Sequence, residues 1–438
     1  MRTHLGISSS PFHFSFPSSS RFRLIPDSLG FILLSILSLT ILLSACGNNT
    51  STTKEGTLLF GVPISLTGST STEGRLTLEG YQLWVKYVNS NGGIRVGNTN
   101  YQVALKYYDD ESAPTKSAQL TQHLITVDKV NFLLGPYGTA ATLQDAAIAE
   151  QYQIPMVEGN GSASSIFSKG FKHIFGVLSP AASYAQVMLQ ATLALPTPPQ
   201  NIAIISANDS FSTEVATEAR AYADSHHLPV VYYKQYPSGA TDLTGVLTDL
   251  KSSGPSGTVP DMILGSGHEA EAVTTMKECR QLNINSKLYG FTVGPGTADF
   301  ITSLGKDANY VISSAQWTAQ EKYNGIDLFK TPTNYEQLYH NAYGHAPAYQ
   351  SANATAAGLA FQYAIQQAAS IDPQKVRDAL ANLNIMTFYG QIRFNAAGVN
   401  TYKPMATIQI QDGHIATVYP QDVANAKLQF PTPPFSNR

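Results

Sequence analysis

Five short stretches of this chain combine glycine with hydroxyl, amide or aromatic side chains, and a sixth carries the same polar and aromatic types without glycine. They are residues 65–70 (SLTGST), 135–142 (GPYGTAAT), 158–162 (EGNGS), 208–211 (NDSF), 265–269 (GSGHE) and 292–295 (TVGP). Gly, Ser and Thr at the start of a helix present backbone N–H groups, hydroxyls and the positive end of a dipole. That combination receives a carboxylate or another small anion. Tyr137 and Phe211 are placed to wall the apolar part of a ligand. The alternative is that these glycines only make the turns between strands and helices.

Catalytic patterns are absent from the sequence. It has no GxSxG, no GxxxxGK[ST] and no HExxH. Gly135-Pro136-Tyr137-Gly138 begins like a glycine loop without the GxGxxG spacing, so no dinucleotide or other cofactor is expected. His226-His227 lacks a helical i, i+4 companion and reads as a solvated helix end. Asp109-Asp110-Glu111 reads as solvated or helix N-terminal charge. No metal site is expected.

The elements that must position these loops follow a regular rhythm from residue 57. The apolar run 58–62 (LLFGV) is a buried strand of the parallel type. A helix is predicted over 76–89, with Leu83, Trp84, Tyr87 and Val88 on one face and Asn91-Gly92-Gly93 as its stop. Strands 101–108, 132–134 and 154–157 alternate with helices 116–127 and 141–152. After Pro180 the rhythm restarts, with strands at 202–205, 230–233, 262–264, 288–291 and 310–312. The expectation is an α/β protein of two doubly wound parallel-sheet lobes. Three helical stretches (334–343, 354–369, 373–383) then precede three short strands, so the chain must cross between lobes more than once. The crossings are expected near 177–180, 313–316 and 387–390, a multi-strand hinge over a cleft. Lobe 1 would comprise 57–178 and 314–387, and lobe 2 would comprise 179–313 and 388–438. Ligands of open α/β sheets bind beyond the carboxyl ends of the strands, where all six loops fall.

The N-terminal segment is of another kind. Residues 30–43 (GFILLSILSLTILL) carry no charge and follow Arg2, Arg21 and Arg23. The run is shorter than the roughly 20 residues of a membrane span and has the layout of a secretory signal. Leu43-Ser44-Ala45-Cys46 matches the bacterial lipobox. Residues 1–45 would be removed, Cys46 would carry lipid, and 46–56 would form a flexible tether outside the cytoplasm. Cys279 then has no intramolecular partner and reads as a small buried residue. The net charge of −3 becomes −5 without Arg2, Arg21, Arg23 and Asp27. No basic stripe appears, which argues against nucleic acid as a partner. Charged residues make up 13% of the chain, about half the usual share, so uncharged polar side chains must supply much of the solvated surface.

Nine stretches together resemble a known family. They are GVPISLTG (61–68), EGYQLWVKYVNSNGGI (79–94), YYDDES (107–112), FLLGPYGT (132–139), IPMVEGNG (154–161), KGFKHIFGVLSP (169–180), NIAIIS (201–206), AQWTAQEKY (315–323) and TFYGQIRFNAAGVN (387–400). In this order they resemble substrate-binding lipoproteins of ABC importers, of the branched-chain amino-acid (Leu/Ile/Val-binding) type with the type I periplasmic-binding-protein fold. The resemblance implies a monomer that captures a small polar ligand, an amino acid, and delivers it to a permease driven by a separate ATPase. It implies that Thr139 and the amides of Gly161 and Ser162, with Asn160 beside them, hold the ligand carboxylate. It further implies that Phe211 closes over the ligand and that His268 and Glu269 make second-lobe contacts. One departure stands out. Relatives place an acidic partner for the α-ammonium just after the strand at 288–291, and this chain has Thr292. Either Glu269, Glu73 or Glu158 takes that role, or the ligand is not an α-amino acid. A sensing protein with the same cleft is the remaining alternative.

Overall fold

The computed structural model describes residues 54–438 and, upstream of them, Ser15 alone. The signal segment, Cys46 and most of the expected tether lie outside the described residues. The first sheet contains β1 (Lys54–Ile64), β2 (Ile94–Val96), β3 (Thr99–Asp109), β4 (Phe132–Leu134), β5 (Met156–Glu158) and β6 (Ile174–Gly176). Its spatial order is β2-β3-β1-β4-β5-β6. All pairings are parallel except β2 with β3, which a short glycine turn reverses. β1 starts at Lys54 and pairs there with Thr99, so the expected tether over 46–56 ends earlier than the sequence suggested.

The second sheet begins with β7 (Ile202–Ala207), β8 (Val230–Tyr236), β9 (Met262–Ser266), β10 (Leu288–Phe291) and β11 (Ile312–Ala315). A separate hairpin follows, β12 (Asn384–Thr387) with β13 (Gly390–Arg393), before β14 (Ala406–Gln411) and β15 (His414–Tyr419) complete the sheet. The order is β15-β14-β11-β10-β9-β7-β8, with β14 and β15 antiparallel at one edge. The lobes expected to be parallel are thus mixed at their margins and parallel at their centres. Both sheets belong to one compact unit.

The helix Tyr349–Ala368 is buried over most of its length. Its alanines and Gly358 let it lie close against the helix Ser71–Ser90, where a Cβ on Gly358 would come 2.2 Å from the Trp84 ring. Phe60, Trp84, Phe132 and Phe361 interlock beneath it with ring centroids 5.1–5.4 Å apart. Asp110, expected to be solvated, is fully buried and accepts from Ser65 Oγ at 2.7 Å. Cys279 is buried and free.

The chain passes between the sheets three times. The first passage follows β6 and the second follows β11. The third does not lie at 387–390. Those residues turn the β12–β13 hairpin, and Val399 still bridges Gly176 of the first sheet, so the passage runs over 400–405. The expected boundary at 387/388 therefore shifts, because a tight Thr387–Gly390 pairing reads in sequence like a strand end. The three passages are cross-linked. Ser179 N–H donates to Gln316 Oε1 at 3.0 Å, and Gln316 Nε2 donates back to Ser179 O at 2.9 Å. Ser179 Oγ donates to Lys403 O at 2.7 Å, and the buried Lys403 ammonium donates to Gln316 O.

Candidate functional site

The carboxyl ends of the two sheets face each other across a cleft. On the first-sheet side, Gly138 has φ of 88°, a left-handed conformation suited to glycine, and starts the helix Thr139–Tyr152. The first N–H groups of such a helix have no intrahelical partner. Thr139 is 3% exposed at that end, with Ser162 buried beside it. On the second-sheet side, Asp209 caps the helix Ser210–Ser225 by accepting from Ser212 N at 2.9 Å. That cap sets Phe211 against Tyr184 in a T-shaped contact with centroids 5.1 Å apart.

A single imidazole links the two sides. His268 Nδ1 lies 3.0 Å from the Tyr137 hydroxyl, and His268 Nε2 lies 3.5 Å from Asp209 Oδ2. Burial works against charge on His268, but Asp209 first, then Glu271 and Glu73, lift it to about 9. At neutral pH the ring is therefore protonated, and its Nδ1–H donates to Tyr137. Burial also opposes the charge on Asp209, yet His268 and Ser212 hold that carboxyl well below the usual range.

Two further acids meet nearby. Glu269 N–H donates to Glu73 Oε1 at 3.0 Å, and Thr297 Oγ1 donates to Glu269 Oε2 at 2.7 Å. Burial, then the neighbouring Glu73, pushes Glu269 up to about 8. Burial raises Glu73 as well, partly offset by His268. His268 and Arg75 are the positive groups near this pair.

Thr139, Tyr137, Asn160, Ser162, Phe211 and His268 come together around one small void, joined by Leu178, Tyr184, Val293 and Tyr349. Glu73 and Glu269 line neither this void nor the larger chamber beside it. Gly161 takes a different part from the one its family resemblance suggests. Its amide, with that of Asn160, donates to Glu158 Oε2, so it is already engaged. Burial pushes Glu158 up to about 8 against those two amides, and its Oε1 has no partner. The Asn160 side chain is also occupied, donating to Thr77 Oγ1 at 3.0 Å and to Gln350 O at 3.2 Å. Thr292 Oγ1 donates to Gly267 O at 3.0 Å and stitches two loops together.

Tyr184 and Tyr349 were missed by sequence reasoning. Each stands at the start of a helix whose place depends on a passage between the sheets, and no short-range pattern marks it. Among the described residues, no group of three His, Cys, Asp or Glu side chains is placed to hold a metal ion. No helix among them is long and apolar enough to cross a membrane.

Comparison with known proteins agrees with this architecture. The family model described as periplasmic binding protein matches residues 57–414. A Leu/Ile/Val-binding protein homolog 8 from Brucella abortus is 25% identical over 394 residues, covering 85% of this chain and 92% of the relative. The branched-chain amino acid transporter substrate-binding protein LivJ from Streptococcus pneumoniae, solved with isoleucine, superimposes with a TM-score of 0.72. It shares 20% identity, with 83% of this chain and all of that chain (100%) covered. An ABC transporter solute-binding protein from R. palustris, solved with benzoate, gives a TM-score of 0.70 at 16% identity, covering 83% of this chain and 95% of that one. Matched over most of its length, this chain belongs to the periplasmic binding protein family.

Proposed function

We propose that the protein is the lipid-anchored, extracytoplasmic binding component of an ABC importer and that it captures a small amino acid in its cleft. The two sheets with their helices act as lobes, open to admit the ligand and closed to present it to a permease. The carrying observation is the pairing of unlike walls. One wall offers Thr139, Ser162 and a helix N-terminus to a carboxylate. The other brings Phe211, the protonated His268 and several acids. Glu73, from the first-sheet side, and Glu269 are the acids assigned to the ammonium group that Thr292 cannot bind. They are reached as the cleft opens, because they line neither void here. Cargo capture needs no bond chemistry, and no nucleophile–base pair is required of the site. Closure works through differential affinity, since only the closed form brings both walls to the ligand.

A second reading is an aromatic carboxylate. It is favoured by the rings of Tyr137, Tyr184, Phe211 and Tyr349 around the void and by the neutral Thr292, and the benzoate complex of the R. palustris protein is consistent with it. A thermal-shift screen of amino acids, amides and benzoates on the chain from residue 47 onward decides between them. Ligand binding to the native state raises the melting temperature. Amino acids are expected to give the largest rise. Benzoates alone giving one would replace the first reading with the second.

A further inference from the structure

Two voids meet at Tyr137, Gly138, Thr139 and His268, and they differ greatly in size. The inner one, among Ser162, Tyr184, Phe211 and Tyr349, measures about 10 Å³. That is room for roughly one water. The outer one measures about 490 Å³, a volume typical of small-molecule sites. Its lining contains Ser69, Thr70, Asn208, Ser238, Thr241 and Thr274 among small alanines, and no Val, Leu, Ile, Met or Phe.

We propose that this outer chamber is the specificity subsite of the cleft and that it receives an uncharged, hydrogen-bonding tail, such as a ureido or amide group. The carboxylate of the same ligand sits at Thr139 and Ser162. The proposal rests on the cleft reading above and narrows its substrate class. A branched aliphatic tail would leave the chamber's free hydroxyls to water and find only alanine methyls, Pro114 and Tyr137 as apolar partners. A charged tail fits no better. An anion would meet Asp209 and Glu271, with the His268 cation already shared between Asp209 and Tyr137. A cation would have to compete for acceptors already in use, because Glu271 accepts from Gly239 N and His268 N at 2.7 Å each. Asp209 is likewise engaged by Ser212 Oγ at 2.7 Å and by His268. An uncharged group that both donates and accepts can use Ser69, Thr241 and the Asn208 amide N–H groups. Asn208 Oδ1, Thr70 Oγ1 and Thr274 Oγ1 meanwhile keep their bonds to Ser238 N, Ser112 Oγ and Ala270 O. Ser69 comes from the first-sheet side and Thr241 from the second, so such a tail is gripped only when the cleft is closed.

The test is calorimetric titration of leucine and citrulline into the chain from residue 47 onward, which retains the complete compact unit. Thr241→Phe and Ser69→Leu fill the chamber from opposite sides, and a melting curve confirms that each is folded. Citrulline is expected to bind at least ten-fold more tightly than leucine. Either filled variant is expected to lose at least ten-fold for citrulline and distinctly less for leucine. Leucine binding as tightly as citrulline, or filling that costs both ligands equally, would overturn the subsite and leave the cleft reading standing. Heat from neither ligand, with benzoate binding instead, would overturn the amino-acid reading and the subsite with it.

Discussion

The two walls of the cleft are built by the same fold rule and end with opposite chemistry. Both use loops beyond the carboxyl ends of parallel strands, and both start helices there. The first wall spends its loops on small residues: Gly138, Thr139 and Ser162 around a bare helix end. The second spends them on Asp209, Phe211, His268, Glu269 and Glu271. The same loop position can therefore serve an anion or a cation, depending on whether the helix start is left open or filled by its own acid. Asp209 fills one such start, and the helix from Thr139 keeps its start free of side-chain caps. On the reading proposed above, a ligand spanning the two walls is dipolar.

The largest effect is expected from stripping the second wall of its ring. Phe211 packs on Tyr184 and lies beside His268. Phe211→Ala should weaken amino-acid binding by about 2–4 kcal/mol, as for a buried aromatic anchor. An unchanged dissociation constant by calorimetry would remove Phe211 from the contact surface. Thr139→Ala tests the first wall and should cost about 1–3 kcal/mol, because a charged ligand group loses a hydrogen-bond partner. The loss should appear equally for an amino acid and for its deaminated analogue, since only the carboxylate end is touched. A loss confined to the amino acid would break the assignment of walls.

The third test concerns support rather than contact. Glu158 is fully buried and raised to about 8 from 4.5. Between those values the unfolded chain releases a proton that the folded chain keeps, so stability falls as pH rises from about 5 to 8. One such group contributes at most roughly 1.4 kcal/mol per pH unit. Glu158→Gln should flatten the fall in melting temperature over that range without abolishing it, because burial raises Glu269 in the same direction. A pH profile identical to that of the natural chain would show that Glu158 is ionised in the folded state.

Much of this arrangement was legible in the sequence. The central strands were found because a parallel strand covered on both faces is a short continuous apolar run, as in residues 202–205 and 262–264. Once the strands were placed, the fold rule placed the loops, and Tyr137, Thr139, Ser162, Phe211 and His268 do meet. Long-range packing hid the rest. Tyr184 and Tyr349 reach the void from helices far away in sequence. The third passage was misplaced because Thr387 and Gly390 pair within a hairpin, and the contact that keeps the chain with the first sheet comes later, at Val399. Nor does spacing reveal that Glu158 takes the Gly161 amide for itself, since that requires a carboxylate turned back into its own loop.

The central claim is that the cleft binds a zwitterion, with Glu73 and Glu269 answering its ammonium group. The most direct test is calorimetric titration of leucine and citrulline, each against its analogue lacking the α-amino group, on the natural chain and on Glu269→Gln. Deamination should cost the natural chain about 100-fold in affinity, and the substitution should weaken the amino acids while leaving the deaminated acids nearly unchanged. Deaminated acids that bind as tightly as the amino acids, with equal losses on substitution, would contradict it.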